Sequence, residues 1–600
     1  MTISNETPVL VVGSGPAGLI AALQLATNGV RCMLVERNLK TTQWPKMDIT
    51  NCRSLELLRR LGVADGLRGV GVPGQYSFDV LFSTGLGEGQ VVAKWDLASP
   101  DEWRQRIRDN NDGSMPREPY QRCSQAIFEA WLKPRIQGNP LIDSHYGMKF
   151  ETLTEHDGYV ESELIDREGA THVVRSHYVI ACDGAGSRVR RSVGIQLDGG
   201  PVPGAMWLIH FKSRDLSRLQ SQGQFWHIFF TSGHALIAQD EVDTWTLHTP
   251  IQVGASVDHL DPREAIYQGL GGEGPPFPIQ VDEILVTSVW RPMICLAEKY
   301  ASAGMRVFLA GDSAHQNIPT GGYGMNTAVG DSFDIGWKIS AVLHGYAGPL
   351  LLASYEQERR PVGARNIERS GVHFEVHSTY VQWSRDAPGV ITSSTPEGVD
   401  LRERVAQLLR ERDGENRDLG IELGYRYSPS PVVVAPQNDG DEPKWTERTF
   451  VPSTWPGSRV PHVFLQDGKT SSFDILGTGP EFTLVDFTAN AAFIEVFEPV
   501  FQARGVPYKV AHLPDQTHVR TIWQRDAVLV RPDDHVAWRA SDSIPAFSVK
   551  VDEVLDIALG IGSQGLAKTL AGSAGTKQHF TSTVGVVPVE HVQGLGEFQR

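Results

Sequence analysis

The stretch that most constrains the fold lies near the start of the chain, where PVLVVGSGPAGLIAALQLATNGVRCMLVER occupies residues 8–37. An apolar strand over residues 9–12 runs into glycines at GxGxxG spacing, and a helix-forming segment and a second apolar strand follow. Such glycines allow a tight turn, close approach of the backbone to a pyrophosphate, and close helix–strand packing. The free amides at the helix start favour phosphate binding. The unit therefore predicts a dinucleotide site and leaves FAD and NAD(P) as open alternatives.

The acid at the end of the second strand, Glu36, is placed to bind a ribose hydroxyl pair. The residues of this first motif predicted to contact the dinucleotide are Gly13, Gly15, Pro16, Ala17, Gly18, Glu36 and Arg37.

Two later segments carry a strand that delivers an acid and a glycine to a turn. They are YVIACDGAGSRVRRSVG at residues 178–194 and RVFLAGDSAHQNIPTGGYGMNTAVGDSFDIGWKIS at residues 306–340. In the second, a loop rich in glycine and proline leads to a helix predicted to begin near Met325 or Asn326. Strand-end acids can bind ribityl or ribose hydroxyls, and a helix start can face an anionic flavin edge. Asp-Gly alone is a common turn dipeptide, so the three motifs in this order are what indicate a flavin.

With GSGPAG, these two segments and SYEQERRPV at residues 354–362, the chain resembles the FAD-dependent class A aromatic hydroxylases, the family of para-hydroxybenzoate hydroxylase and phenol hydroxylase. The resemblance implies an α/β fold: a Rossmann-type (GR2-like) FAD-binding domain interleaved with an antiparallel β-sheet substrate domain, and a C-terminal thioredoxin-like α/β domain. It implies FAD as the cofactor, with NAD(P)H as reductant and NADPH slightly preferred. The implied reaction is hydroxylation of a phenolic or related aromatic substrate by O₂ through a flavin C4a-hydroperoxide.

The resemblance also implies roles for individual residues. Asp183 and Gly184 match a segment that serves both FAD and NAD(P)H, Asp312 matches a ribityl contact, and the loop from Pro319 to Asn326 matches the wall of the flavin ring. Lys46 stands where many members have arginine, and an ammonium lacks the planar fork with which a guanidinium makes a bidentate phosphate contact. The FAD contacts implied outside the first motif are Lys46, Arg53, Arg122, Gln125, Asp183, Gly184, Gly311, Asp312, Pro319, Gly322, Gly324, Met325 and Asn326.

The middle of the chain reads as an antiparallel sheet, because residues 205–213, 224–232 and 244–250 are strand-like and rich in aromatics and histidines. In the resembled family this sheet carries the substrate pocket. Side chains alternate between the two faces of a strand, so a packing role is as good an interpretation as substrate contact for each candidate. The candidates for substrate contact are His210, Trp226, His227, Trp245 and His248, with Pro319 from the flavin loop.

The expected domain order follows from these segments. It is a first FAD-binding part over 1–195, with 70–115 contributing to the substrate domain, then the substrate sheet over 196–290, a second FAD-binding part with helices over 291–425, a linker over 426–445, and the thioredoxin-like domain over 446–600. A long helix is predicted over residues 398–413. No cysteine lies beyond Cys295, so dithiol redox chemistry is excluded from the last domain. Its expected role is packing or contact in a homodimer.

Charge and cysteine spacing exclude several function classes. A formal net charge of −16 argues against nucleic-acid binding. The first residues lack a basic segment typical of a signal peptide, and no apolar run approaches the roughly 18 residues that cross a bilayer. The scattered cysteines disfavour a disulfide framework and a zinc or other metal site. The expectation is a cytoplasmic enzyme that binds a small aromatic substrate and O₂, without a membrane span.

One acid remains, Asp48, in WPKMDITNCRSLELLRRLG at residues 44–62. Acids before helices are usually caps, and Thr50 or Asn51 could cap this helix equally well. The spacing from the acid to Cys-Arg-Ser-Leu-Glu resembles the phenol-hydroxylase branch, in which the matching acid is the proposed base. Proton transfer from a phenol (pKa about 10) to a free aspartate (about 3.9) costs roughly 8 kcal/mol, so a buried carboxylate with a raised pKa is expected here. Asp48 is the predicted catalytic base, with a structural acid as the alternative.

Other functions fit the same motifs. A monooxygenase of this fold could catalyse epoxidation or Baeyer–Villiger oxidation of a polyketide-like substrate, which requires no base for a phenol. A flavin-dependent dehydrogenase and a non-enzymatic flavoprotein are the further alternatives.

Overall fold

A computed structural model of the protein describes residues 4–436 and 440–562. Its strands in chain order are β1 Glu6–Val12, β2 Cys32–Glu36, β3 Ile49–Thr50, β4 Val80–Ser83, β5 Val91–Trp95, β6 Gln121–Arg122, β7 Ile142–Tyr146, β8 Lys149–Glu155, β9 Val160–Ile165, β10 Thr171–Ala181, β11 Leu197–Pro201, β12 Ala205–Lys212, β13 His227–Phe230, β14 Ala235–Ala238, β15 Thr244–Ile251, β16 Glu283–Trp290, β17 Met293–Ala297, β18 Val307–Leu309, β19 His315–Gln316, β20 Phe482–Asp486, β21 Tyr508–His512, β22 Ala527–Val530 and β23 Val536–Arg539.

The helices lie between these strands and mostly cover the sheets. They are α1 Pro16–Thr27, α2 Cys52–Arg60, α3 Ala64–Val70, α4 Pro100–Asp109, α5 Gln125–Gln137, α6 Arg188–Ser192, α7 Leu216–Leu219, α8 Pro262–Gly271, α9 Tyr323–Leu343, α10 Pro349–Asp386, α11 Pro396–Glu411, α12 Leu419–Glu422, α13 Ala492–Arg504, α14 Thr517–Trp523 and α15 Val551–Ala558.

The first sheet has seven strands in the order β7-β2-β1-β10-β9-β8, with β18 paired to β10. β1 runs parallel to both β2 and β10, as the strand–helix–strand pattern at the start of the chain requires. Residues 9–12 of β1 are buried and belong to the largest hydrophobic core, and α1 packs against α9 beside this sheet. The carboxyl ends of β1, β10 and β18 therefore bring the three flavin-type motifs to one edge.

The second sheet, which we call the substrate sheet, has the order β16-β12-β15-β14-β13-β4-β5. Its last two strands come from residues 80–95, and β4 joins β13 in parallel while the other pairs are antiparallel. One face packs into an apolar core that includes Ile228, Leu236, Trp245 and Leu247. The other face carries half-buried polar and aromatic side chains, because strand alternation sends their neighbours in sequence into the core.

The C-terminal sheet has the order β21-β20-β22-β23, with a parallel first pair and antiparallel pairs thereafter. This mixed α/β arrangement fits the predicted thioredoxin-like domain. Residues 563–600 of that predicted domain, and 437–439 of the predicted linker, lie outside the described residues. Two predicted helices have shifted ends: α9 begins at Tyr323 rather than near Met325 or Asn326, and α11 spans Pro396–Glu411 rather than 398–413.

A buried group of charges ties this C-terminal domain to the long helices of the FAD-binding part. We call it the interdomain ion cluster. Glu358 of α10 accepts both guanidinium N–H groups of Arg531, at 2.6 and 2.9 Å, and the ammonium of Lys338 of α9. Asp334 and Asp533 complete the cluster. Since all five side chains are at most 4% exposed, each of these charges depends on its neighbours for solvation.

No helix among the described residues is both long and apolar enough to cross a membrane. Over the same residues, no group of three or more His, Cys, Asp or Glu side chains could hold a metal ion.

Candidate active site

The first glycine-rich turn has the geometry that a dinucleotide requires. Gly13 adopts φ +101°, and a Cβ there would lie 2.3 Å from the carbonyl oxygen of Cys182. A Cβ at Gly18 would lie 1.8 Å from the carbonyl oxygen of Gly13, so only glycine permits this close packing of α1 on β1. Gly15 is different: nothing lies within 4 Å of its added Cβ. Gly15 precedes α1 without a side-chain cap, so the first amides of the helix are free for phosphate oxygens.

Glu36 lies beside this turn at the end of β2. Its Oε2 accepts the backbone N–H of Ser14 at 2.9 Å, and its Oε1 accepts the N–H of Asn38. The carboxylate is therefore fixed next to the glycines, where the first motif predicts a ribose contact. Arg37, the following residue, is exposed.

The third motif forms the other side of the predicted cofactor site. Gly311–Ser313 is a short 3₁₀ turn at the end of β18, and the side chain of Asp312 is exposed. The loop from Pro319 then enters α9 through Gly322, which adopts φ +65° and provides no side-chain cap. Nothing lies within 4 Å of an added Cβ at Gly324. Two uncapped long helices and two open glycines thus face the region where the motifs predict the pyrophosphate and the flavin ring, and these residues fit FAD.

The side-chain amide of Asn326, a predicted flavin contact, is hydrogen-bonded to protein groups. Its Oδ1 accepts the N–H of Asn51 at 2.9 Å, and its Nδ2 donates to the carbonyl oxygens of Ile49 and Gly322 at 3.2 and 2.6 Å. Asn326 therefore joins the flavin loop to the segment that follows Asp48. Met325, beside it, is buried.

The acid of the second motif, Asp183, is hydrogen-bonded to residues that directly follow it in the chain. Asp183 accepts the hydroxyl of Ser187 at 2.5 Å and the backbone N–H groups of Arg188 and Val189, which caps α6. Burial is the largest cause that raises the pKa of Asp183. Gly184 adopts φ +79° at the turn. Contact of this pair with FAD or NAD(P)H stays a prediction.

Four further predicted FAD contacts surround the Asp48 loop. The backbone N–H of Gln125 donates to the carbonyl oxygens of Met47 and Pro45, and the side chain of Lys46 between them is exposed. Arg122 pairs instead with Glu241 and donates to the carbonyl oxygen of Ala238.

Arg53 points its guanidinium at the C-terminal domain. It pairs with Asp534 at 3.1 Å and with Glu56 of its own helix, and it donates to the carbonyl oxygen of Asp533 at 2.6 Å. This buried contact anchors α2, the helix that directly follows the Asp48 loop. A direct bond from Arg53 to FAD stays a prediction.

Asp48 itself lies between the FAD-binding part and the substrate sheet. Its carbonyl oxygen accepts the N–H of Cys123 at 2.9 Å, beside the pairing of β3 with β6. Its carboxylate Oδ2 accepts the indole N–H of Trp226 at 2.8 Å and lies 3.0 Å from Nε2 of His227. The side chain is 15% exposed, and its Oδ1 has no hydrogen-bond partner among the described residues.

The proton on His227 follows from these contacts. Its Nδ1 is buried without a partner among the described residues. A proton on Nδ1 would be an unsatisfied buried donor, whereas a proton on Nε2 is bonded to the carboxylate. His227 therefore donates to Asp48. Two N–H groups of the substrate sheet, from Trp226 and His227, thus hold the carboxylate of Asp48 in place.

The expectation of a raised pKa at Asp48 is wrong. Burial by itself raises this pKa, but the charge and hydrogen bond of His227, the indole of Trp226 and the charge of Arg122 outweigh it, and the pKa is lowered. Asn51 rather than Asp48 caps α2, because its side chain accepts the N–H of Ser54 at 2.9 Å. The capping alternative for Asp48 is therefore also wrong.

Of the five substrate-contact candidates, Trp226 contacts Asp48 as described above, and the other four differ in burial and in the face that they occupy. His227 and His248 are half-buried, and the register of β13, β14 and β15 places them on the face of the substrate sheet that meets Asp48. His210 is buried, with Nδ1 bonded to the carbonyl oxygen of Trp245 and the hydroxyl of Thr246 at 3.0 Å. Trp245 is wrong as a substrate contact, since it is 0% exposed in the core of the opposite face.

One residue of this face was missed from the sequence. Trp290, at the end of β16, donates its indole N–H to Nδ1 of His248 at 3.3 Å, and the two rings meet edge to face at 5.7 Å. The signal that could have found Trp290 is an aromatic residue in register with the half-buried side chains of a strand paired to β12.

A cavity of about 270 Å³ lies next to Asp48 and shares two of its neighbours, Ile49 and Trp226. Phe78, Tyr120 and the exposed Arg106 also line this cavity. Aromatic rings thus line space on the substrate-sheet side of the Asp48 loop.

Comparisons with known proteins follow the same division of the chain. The FAD binding domain family model matches residues 6–370, which is more than half of the chain. The model for the C-terminal part of aromatic-ring hydroxylases matches residues 453–560.

Relatives match over nearly the whole length. The FAD-dependent monooxygenase apdD of Emericella nidulans is 46% identical over 578 residues, which cover 94% of this chain and 92% of that protein. The 2,4-dichlorophenol 6-monooxygenase of Cupriavidus pinatubonensis is 30% identical, covering 91% of this chain and 95% of that one. The solved structure of the flavin-dependent monooxygenase PieE with FAD and substrate superposes with a TM-score of 0.82 at 29% identity, covering 93% of this chain and 100% of that one.

Proposed function

The chain belongs to the FAD-binding family of flavin-dependent aromatic-ring monooxygenases, and from this premise we propose that it hydroxylates a phenolic ring with Asp48 as the base. The observation that carries the proposal is the asymmetry of the Asp48 carboxylate. Oδ2 accepts N–H groups from Trp226 and His227, while Oδ1 has no partner among the described residues. A carboxylate oxygen that is held in place yet open can accept the proton of a substrate hydroxyl.

The lowered pKa of Asp48 determines how such a base works. A free aspartate already lies roughly 8 kcal/mol below a phenol in proton affinity, and the neighbours of Asp48 widen that gap. Asp48 therefore accepts the proton as the ring loses electron density during oxygen transfer, rather than storing it beforehand. Trp226 and His227 keep the acceptor oriented, so little reorganisation is needed when the proton moves.

FAD supplies the redox chemistry when it is bound, activating O₂ and delivering one oxygen atom. In this chain Gly13, Gly15 and Glu36 would hold the ADP half and Asp312 the ribityl chain. The loop from Pro319 to Asn326 would line the flavin ring. NAD(P)H is the proposed reductant, with NADPH as the first choice to test.

The test measures NAD(P)H oxidation and O₂ uptake by the purified holoenzyme across a panel of phenols, with mass spectrometry of the products. Product that gains one oxygen atom for each NAD(P)H consumed supports hydroxylation. Oxygen insertion into a ketone or an alkene, with no activity on any phenol, would favour Baeyer–Villiger oxidation or epoxidation instead.

The variant Asp48→Asn tests the base. It keeps an oxygen acceptor for Trp226 and His227 but removes the proton acceptor, so we expect normal FAD content and a loss of phenol hydroxylation of about 10²- to 10⁴-fold. The matched control is Asp166→Asn, which alters a second Asp–His pair, in the turn between β9 and β10, with a 2.8 Å contact to His172. Near-normal turnover by Asp48→Asn on a good phenolic substrate would contradict the role.

We further propose a homodimer as the working form, with the C-terminal domain as the contact. Because no cysteine lies beyond Cys295, dithiol chemistry is excluded from this domain, and packing or dimer contact is the role that this leaves. Light scattering on the purified protein measures the molar mass, and a monomer at working concentration would contradict this proposal. The cytoplasmic location and the domain boundaries stay predictions.

A further inference from the structure

His248 on the substrate sheet is fixed in one tautomer by Trp290. An indole nitrogen can only donate a hydrogen bond, and the indole N–H of Trp290 points at Nδ1 of His248 at 3.3 Å. Nδ1 must therefore carry the lone pair. The ring proton of neutral His248 is then on Nε2.

The charge state of His248 agrees with this geometry. Burial, the largest cause, and the neighbouring His227 lower the pKa of His248 to about 4. At neutral pH the imidazole keeps a single proton, the one on Nε2. This nitrogen accepts nothing and can act only as a donor.

The Nε2–H of His248 has no partner among the described residues, and Nε2 is not among the buried atoms that lack one. It is therefore accessible on a half-buried side chain. His227 is in register with Ile237, and Ile237 is in register with Thr246. His248 lies two residues after Thr246, so it shares the face of the sheet from which His227 contacts Asp48. The site thus offers a substrate one fixed acceptor and one fixed donor.

We propose that the substrate is a hydroxyarene that also carries a carbonyl oxygen, with its hydroxyl at Oδ1 of Asp48 and its carbonyl accepting the Nε2–H of His248. This inference rests on the proposed function and names the substrate class for the same site. A carbonyl group accepts without donating, so it complements an imidazole that can only donate. A hydrocarbon substituent of the same shape would leave this donor without a partner in a partly dehydrated site, and that loss is the basis of selection.

The test compares isosteric ligands on the FAD-bound enzyme. The probes are the three positional isomers of hydroxyacetophenone and the three of isopropylphenol, which differ by a carbonyl oxygen in place of a methyl group. Dissociation constants are measured at about pH 6 from the change in flavin absorbance, a pH at which both phenols remain protonated. For at least one position we expect the acyl ligand to bind about tenfold or more tightly than its alkyl partner.

Variants assign this preference to His248. In His248→Phe the ratio of the two dissociation constants should fall to within about twofold, because the donor is absent. In Trp290→Phe the ratio should fall part of the way, since the tautomer is no longer fixed. The matched control is His234→Gln, in the turn between β13 and β14, which should keep the full ratio. Burial lowers the pKa of His234 to about 4, and its Nδ1 is hydrogen-bonded to Ser232.

Binding and turnover separate the two proposals. No preference at any position, or a preference that persists in His248→Phe, overturns the inference on the substrate class. A preference that depends on His248, with no oxygen transferred to any phenol, leaves the inference standing and overturns the proposed hydroxylation. Trp290→Phe is the second readout if His248→Phe fails to fold, and a full ratio in that variant also overturns the inference.

Discussion

Two carboxylates of this molecule both accept N–H groups but differ in whether one of their oxygens is left without a partner among the described residues. In the interdomain ion cluster, Glu358 is wholly buried, and its two oxygens are shared by Arg531, Lys338 and Ser430. At Asp48, two N–H donors converge on a single oxygen and the other is open. Both pKa values are lowered despite burial. What distinguishes the proposed base from the structural carboxylate is an oxygen without a hydrogen-bond partner among the described residues, and neither the charge nor the direction of the pKa shift reveals it.

The largest effect is expected when the fully hydrogen-bonded carboxylate of Glu358 is removed. Glu358→Gln removes the carboxylate that contacts both Arg531 and Lys338 and weakens the solvation of two buried cations, so we expect a loss of about 3–5 kcal/mol in the free energy of unfolding. Urea denaturation followed by tryptophan fluorescence measures it. Glu403→Gln breaks an exposed pair with Arg410 and should cost less than about 1 kcal/mol. Equal effects of the two variants would remove the contrast.

A smaller effect is expected at the donors of Asp48. Trp226→Phe removes one of the two N–H groups on Oδ2, and a hydrogen bond to a charged group is worth about 1.5–3 kcal/mol. We expect kcat/KM on a phenolic substrate to fall about tenfold or more, with FAD still bound. The control is Trp245→Phe, which removes an indole bond to the carbonyl oxygen of Ser213 in the opposite core.

These two tryptophan variants should separate activity from stability. Trp245→Phe is expected to lower the unfolding midpoint and leave kcat/KM near that of the parent enzyme. The comparison fails if both variants lose activity to the same degree.

Glu422 combines features of both carboxylates, and the smallest effect on stability is expected there. Its Oε1 accepts the hydroxyl of Tyr120 at 2.9 Å, while its Oε2 is buried without a partner among the described residues. Burial is the main cause that raises the pKa of Glu422 from 4.5 to about 8. Between those values the folded state holds a proton that the unfolded state has lost, so stability falls as pH rises and levels off above about pH 8.

Glu422→Gln removes this titration. Between pH 7 and pH 8 the parent should lose about 1 kcal/mol of unfolding free energy through this group, and the variant should lose that much less. Urea midpoints measured at each pH provide the comparison. A parallel decline in parent and variant would mean that Glu422 is ionised in the folded protein.

The sequence predicted the parts of the site that depend on short spacing. The glycines of the first and third motifs can be read from their own neighbours, since GxGxxG and Gly311-Asp312 set the local backbone. Confirmation came for the FAD-binding family and the mixed α/β class. The hydrogen-bond partners of the Asp48 carboxylate are Trp226 and His227, which lie far along the chain, so no local sequence pattern specifies this contact.

The sequence also could not assign side chains to the two faces of the substrate sheet. Trp226 and Trp245 both occur in strand-like segments beside histidines, and only the register of β13 and β15 decides which one meets Asp48. The direction of the pKa shift at Asp48 was missed for the same reason: burial could be expected from the fold class, whereas the three groups that outweigh it required the tertiary structure.

The substrate sheet has a consequence for how this enzyme can be assembled and recombined. Five of its seven strands, β12 to β16, are contiguous in the chain, and the other two arrive much earlier, within the FAD-binding part. During synthesis β4 and β5 must wait for β13 before the sheet can close, so the two domains mature together. Exchange of residues 196–290 with a relative would transplant an incomplete sheet, and a chimera intended to change substrate preference must carry residues 80–95 as well.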